Sequence, residues 1–341
     1  MARTVNIVPG VYAYVGELPL GCRLCIKGVK MVIFITGLCR EHCFYCPVSP
    51  QRLYRDKVYV DEEPAHRFQD FIEEAYYVGA DGASITGGDP LVVLKRTVRT
   101  IRLLKETFGN DFHIHLYTSG RYATRDALLE LEEAGLDEIR FHPVEEWMLS
   151  RIELALNTLR RVRVGVEMPV IPGHGVQLRK LIERLDQMGV EFVNLNELEV
   201  SERNIKALLA RGYKVRQDRA AVEGSEELGL EIVRWAAEAG LRITVHYCPA
   251  SYKDKVQMRA RLTRKSLRLR KPYESVTPEG LLARLEADVE HIDKRILDYV
   301  EIVRNRAFLP PTMRLRGGVL SIRYPSLRRG ARLPVNVKRI T

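Results

Sequence analysis

Residues 34–50 read FITGLCREHCFYCPVSP, and the three cysteines of that stretch, Cys39, Cys43 and Cys46, are spaced C-x3-C-x2-C. They follow the apolar run 31–36, which reads as a buried strand running into a loop. Tyr45 stands directly before the last of them. Three thiolates on one short loop can hold three irons of a cubane and leave the fourth iron without a protein ligand. Cysteine thiolates are the usual ligands of iron–sulfur clusters, and an open coordination position is what a metal needs to engage a substrate. A structural zinc knuckle or plain buried thiols are the alternatives. A structural zinc site uses four closed ligands, usually in two separated pairs.

Outward from this stretch, β-branched apolar runs alternate with amphipathic ones. Strands are expected near 31–36, 82–86, 112–117, 138–141, 162–170, 192–195 and 241–247, and helices over 65–78, 93–107, 124–134, 178–188 and 225–239. Gly79, Gly135, Gly189 and Gly240 stand where helices close. Such alternation implies right-handed βαβ units and a parallel sheet. About seven units make an α/β fold, a partial or nearly closed (β/α) barrel with its chemistry at the C-terminal strand ends. A doubly wound open sheet is the alternative.

The cysteine spacing, the aromatic at Tyr45 and the placement after a strand resemble the radical SAM superfamily over about residues 30–250. Over its whole length the chain resembles uncharacterised archaeal radical SAM proteins related to pyruvate formate-lyase activating enzyme. The resemblance implies a [4Fe–4S] cluster on Cys39, Cys43 and Cys46, with S-adenosylmethionine (SAM) on the open iron. A reduced cluster would split SAM to a 5′-deoxyadenosyl radical. It further implies SAM contacts near Tyr45 and at Gly87, Gly88 and Asp89, where Thr86-Gly87-Gly88-Asp89-Pro90 resembles a GGE-type motif with Asp for Glu. Thr118 and Ser119, in a strand ending Tyr117-Thr118-Ser119-Gly120, resemble a further SAM-contacting turn; a helix N-cap is the bland reading. Glu167 is acidic inside an apolar strand and needs a partner or a ligand. SAM is one choice, and Arg140 or Arg163 are the rivals. Asn196 is expected to contact SAM, and Glu197 on the opposite strand face to serve substrate chemistry, with Tyr247 and Cys248 as further catalytic candidates. His142 ends the fourth strand, where it can face the barrel mouth.

Cys22, Cys25 and Cys248 are the remaining cysteines. Near-closure of the barrel would bring C-x2-C and the third thiol together, as an auxiliary iron–sulfur cluster or, with His246, a zinc site. No apolar run is long enough to span a membrane and 1–10 lacks a signal-peptide core, so a cytoplasmic protein with no membrane contact is expected.

The formal charge of +10 is uneven: residues 1–249 carry 32 Lys/Arg against 35 Asp/Glu, and residues 250–341 carry 22 against 9. The run 253–271 holds nine basic residues, with Val256, Leu262 and Leu269 as an apolar seam at helical spacing. A longer helix is expected over 279–306, then a small basic β appendage with strands at 313–316, 319–324 and 335–340. The expected organisation is a segment 1–30, a barrel 31–250, a basic helical extension 251–309 and the appendage 310–341. Basic surfaces of this kind bind phosphates, so RNA or another anionic substrate is one partner class, beside an electron donor. The functional readings are a radical SAM oxidoreductase acting on RNA or a nucleotide, one acting on a protein or peptide (glycyl-radical activation included), or a non-catalytic metal-binding nucleic-acid protein.

Overall fold

The computed structural model describes residues 3–8, 12–313, 315, 318–327 and 334–339. It contains two compact units, Met1–Ala75 with Ala80–Asp254, and Tyr76–Gly79 with Lys255–Thr341.

The elements of the first run β1 (Val5–Val8), β2 (Tyr12–Val15), α1 (Leu20–Ile26), β3 (Lys30–Thr36), β4 (Tyr59–Val60), β5 (Glu63–Pro64), α2 (Gln69–Val78), β6 (Gly82–Gly87), α3 (Leu94–Phe108), β7 (His113–Thr118), α4 (Arg125–Glu133), β8 (Glu138–Phe141), α5 (Leu149–Thr158), β9 (Arg163–Val170), α6 (Gly175–Met188), β10 (Phe192–Glu197), α7 (Ile205–Leu209), α8 (Ser225–Glu238), β11 (Thr244–Cys248) and α9 (Ala250–Tyr252). The seven strands and five helices expected between residues 31 and 247 are all present, with ends shifted by a few residues. β3, β6, β7, β8, β9, β10 and β11 run parallel in that order. A doubly wound sheet reverses its order part-way, and this one does not. β2 pairs antiparallel with β11, Val15 opposite Val245, and β4 antiparallel with β3, so the sheet ends instead of closing. The fold is a partial (β/α) barrel.

Period-two alternation gives that barrel two contrasting faces. Ile114, Leu116, Ile139, Val166, Leu195 and Val245 are fully buried on the helix-covered side. The intervening residues His115, Arg140, Glu167, Asn194 and His246 turn inward and are polar. α1 lies against this inner face. A Cβ on Gly21 would sit 2.7 Å from His115 Nδ1 and 2.8 Å from an Arg140 guanidinium nitrogen, so any side chain there would displace these groups. Buried polar groups are costly unless paired, and these pair with one another: Arg140 Nε donates to Glu138 Oε1 at 2.6 Å, and Lys30 Nζ donates to the His113 carbonyl at 2.7 Å.

The second unit comprises α10 (Arg259–Leu269), β12 (Ser275–Val276), β13 (Leu282–Asp288), β14 (Glu301–Val303), β15 (Arg306–Leu309), β16 (Val319–Arg323) and β17 (Pro334–Arg339). Its sheet has the order β14-β15-β13-β16-β17, with β12 also on β13. The expected helix over 279–306 is therefore corrected to strands and short 3-10 turns. Leu285, Ala287, Ala307 and Leu309 form one core by alternating inward on paired strands. Their spacing satisfies a strand as well as a helix, and β15 and β16 flank β13 as hydrogen-bonding partners. The expected strand 313–316 falls partly outside the described residues, as does Ile340 of 335–340. No helix among the described residues is long and apolar enough to cross a membrane.

Burial, first of all, lowers the Lys30 pKa from 10.5 to about 7. Between those values the unfolded chain holds a proton that the folded chain lacks, so stability rises with pH. Above pH 9 the buried thiols, whose pKa values are raised, impose the opposite slope. Denaturant unfolding from pH 7 to pH 9 is expected to show stability climbing by as much as ~1.4 kcal/mol per pH unit, and Lys30→Met to flatten the climb.

Candidate functional site

Cys39, Cys43 and Cys46 are half-buried on the irregular loop that follows β3. The chain turns between the last two, Cys46 N–H donating to the Cys43 carbonyl at 3.1 Å, and Glu41 N–H donates to Cys39 Sγ at 3.4 Å. Burial pushes Cys39 up to about 11 and raises Cys43 and Cys46, so ligation of a metal centre releases protons.

The loop is fixed on every side. A Cβ on Gly37 would meet the Arg52 carbonyl at 1.7 Å, and one on Gly88 the Leu38 carbonyl at 2.2 Å. That contact is the reason for glycine beside the loop: Gly88 N–H donates to the Thr36 carbonyl and Asp89 N–H to the Leu38 carbonyl, both at 2.8 Å. Gly87 has φ +147°, a conformation L side chains rarely adopt. Arg121 donates to Glu41 at 2.6 and 3.1 Å. Fully buried Asn204 donates to the Tyr45 carbonyl at 2.9 Å and the Glu199 carbonyl at 2.8 Å. Arg121 and Asn204 escape a sequence reading; the one local signal is the turn Ser201-Glu202-Arg203-Asn204, in which Ser201 N–H donates to Asn204 Oδ1 at 2.8 Å.

Asp89 is buried in a hydrogen-bond network of its own. Its carboxylate is 2% exposed and accepts from Ser119 Oγ at 2.7 Å, Thr118 Oγ1 at 2.9 Å, Leu91 N at 3.0 Å and Ser119 N at 3.1 Å. Desolvation raises its pKa against the pull of these donors. Asp89, Thr118 and Ser119 thus saturate one another and lock the turn after β6 to the end of β7. These side chains brace the turn beneath the cluster loop. The helix cap is a separate residue, Thr124, which accepts from Ala127 N. Asp89→Ala leaves several buried donors unpaired and is expected to cost roughly 1–3 kcal/mol, read as a lower denaturation midpoint of the metal-free protein.

Glu167 takes Arg140 as its ion-pair partner at 3.2 Å, while Arg163 pairs with Glu191. Asn194 and Asn196 also donate to it, at 2.9 and 2.7 Å. Cys22 Sγ accepts from Arg140 at 3.3 Å and lies 3.4 Å from Asn194 Oδ1, which His246 Nδ1 also approaches to 3.0 Å. Cys22 lies against the inner face, and Cys22 and Cys248 are both within electrostatic range of Cys25. Among the described residues the one set of three His, Cys, Asp or Glu ligand atoms within 4.8 Å of one another is Asp288, Glu290 and His291.

Two catalytic candidates turn away from the inner face. Tyr247 packs its ring on α8, where a Cβ on Gly229 would meet it at 2.3 Å. Glu197 accepts from Arg219 at 2.8 Å and from the Ala250 amide at 2.8 Å. Strand alternation puts both on the face opposite Asn196 and Cys248. Cys248 remains on the inner side, at the C-terminal end of β11.

The sequence matches the profile of the radical SAM superfamily over residues 33–145. It is also 40% identical, over 278 residues, to a Methanocaldococcus jannaschii protein named as a candidate glycyl-radical enzyme activating enzyme, covering 79% of this chain and 73% of that one. The chain belongs to the radical SAM superfamily. It is a radical SAM iron–sulfur enzyme whose cofactors are a [4Fe–4S] cluster and SAM, which sets aside the reading as a non-catalytic nucleic-acid protein. Among solved structures it is similar to Streptococcus suis SuiB bound to S-adenosylmethionine (TM-score 0.45, 10% identity, 65% of this chain and 50% of that one). It is also similar to coproporphyrinogen III oxidase HemN from Escherichia coli (TM-score 0.40, 10% identity, 85% of this chain and 65% of that one). The chain spans about half the length of SuiB.

Proposed function

We propose that Cys39, Cys43 and Cys46 ligate the [4Fe–4S] cluster and that the enzyme modifies a protein or peptide, glycyl-radical activation included. The observation that carries the ligand assignment is the set of three half-buried thiols on one loop, braced from β6, β7 and the segment 198–223. Held by Cys39, Cys43 and Cys46, a reduced cluster would supply the electron for reductive cleavage of SAM, and with it the means to take a hydrogen atom from substrate. This chain's residues supply rigidity and exclusion of water. Gly87 and Gly88 let the backbone approach the loop closely, Asp89 locks the turn beneath it, and Glu167 with Asn196 presents a polar wall at the strand ends.

Support for a protein substrate comes from the name of the Methanocaldococcus jannaschii relative and from α1. That helix occupies the inner face at the level of Arg140 and Asn194, so substrate meets the site at the rim of strand ends. Rim access suits a loop of a macromolecule. An electron donor is the second partner this chemistry requires. The excess of 22 basic over 9 acidic residues beyond position 249 favours RNA as a second reading. Activity that is indifferent to salt and to charge reversal in 253–271 would remove it.

The decisive experiment is anaerobic: reconstitute the protein with iron and sulfide, reduce it with SAM present, and quantify 5′-deoxyadenosine. The wild type is expected to form it, and the Cys39/Cys43/Cys46→Ala variant to form none. A wild type that carries a full cluster but yields no product, with or without candidate substrates, would refute the assignment.

A further inference from the structure

Tyr45 and His142 stand 97 residues apart in sequence and meet beside the cluster loop, Tyr45 Oη 2.9 Å from His142 Nε2. The other ring nitrogen, Nδ1, is 2.8 Å from the main-chain oxygen of Glu167. A carbonyl oxygen can only accept, so Nδ1 carries the hydrogen and donates it. In the neutral ring Nε2 then offers only a lone pair. Burial of His142 favours that neutral form. The hydrogen between the two side chains therefore belongs to Tyr45, and its O–H points at His142.

That hydroxyl has a second acceptor within reach, the sulfur of Cys43. It has one hydrogen to give. Hydrogen bonds to the sulfurs of an iron–sulfur cluster are among the determinants of its reduction potential, and they raise it by stabilising the more negative reduced state. Cleaving a sulfonium by electron transfer calls for a strongly reducing centre. We propose that His142 is a positioning residue that holds the Tyr45 hydroxyl hydrogen away from the Cys43 sulfur and so keeps the cluster potential low. This rests on Cys43 being a cluster ligand. Glu167 sets the orientation from behind, since its carbonyl fixes the tautomer of His142 while its carboxylate is held by Arg140, Asn194 and Asn196.

The test is a potentiometric titration of the reconstituted full-length protein, followed by electron paramagnetic resonance without SAM. His142→Leu removes the acceptor at similar bulk, so Tyr45 turns to the sulfur and the potential shifts positive. His142→Gln accepts from Tyr45 and donates to the Glu167 carbonyl, and is expected to restore the wild-type value. His142→Leu combined with Tyr45→Phe returns toward wild type, and Tyr45→Phe alone leaves the potential close to wild type. Two results overturn the proposal: an unshifted potential in a fully loaded His142→Leu protein, or a negative shift in Tyr45→Phe alone, which would mean the native hydroxyl already bonds the sulfur. The second holds even if His142→Leu fails to fold. Cys43→Ala separates the two levels. If it keeps an unaltered four-iron cluster, the ligand assignment falls and takes the proposal with it; if it loses the cluster while His142→Leu leaves the potential unmoved, the proposal alone falls.

Discussion

A guanidinium taken out of water must be repaid by charge and hydrogen bonds on all its faces, and Arg140 is 2% exposed on the inner face of the barrel. It meets Glu138 on its own strand, Glu167 on β9, Tyr117 Oη on β7 at 3.3 Å and Cys22 on α1. One side chain thus joins three neighbouring strands and the inner helix. Buried ion pairs are poor evidence of net stability, but removing one partner strands the others at a cost of roughly 3–5 kcal/mol. The arrangement specifies position more than it adds stability: strand register, helix seat and carboxylate orientation must all be right together.

From Arg140 the constraint passes to the cluster loop by short steps. Glu167 is fixed by Arg140 and by the amides of Asn194 and Asn196, and its carbonyl meets His142, which meets Tyr45 between two of the loop cysteines. A second path runs through Asp89, Thr118 and Ser119 to Leu38, just ahead of Cys39. The loop carries no regular secondary structure of its own. Its shape is imposed by residues at the ends of β6, β7 and β8, by β9 and by the 198–223 segment.

Local patterns were legible in the sequence. Apolar period-two runs located the parallel strands, glycines marked helix ends such as Gly189 at φ +84°, and C-x3-C-x2-C singled out the loop. Contacts between distant segments were not. α1 spans seven residues, too few for a helical period to stand out, and nothing local tells that it packs inside the barrel. Asp89 sits in a motif whose resemblance directs it at SAM, yet only the meeting of β6 with β7 shows it saturated by Ser119 and Thr118. Glu197 and Tyr247 have the chemistry of catalytic groups and the wrong parity on their strands. The stretch 279–306 carries apolar residues compatible with either period, and the choice was made by the strands that flank it.

The pairing of β2 with β11 joins Val15 to Val245, so the beginning of the chain cannot dock until nearly the last strand of the barrel exists. The same holds for α1, whose seat is made by Arg140 and Asn194. At ~5–20 residues per second of synthesis, Cys22 and Cys25 emerge early and wait, in water and uncovered, for the 169 residues from position 26 to Asn194 to follow. During that interval they are ordinary accessible thiols, open to oxidants and free metal. The cluster loop is also complete by residue 50, long before the braces at Arg121, His142 and Asn204 are made. The braces that give the cluster loop its shape are complete only once the chain has passed Asn204.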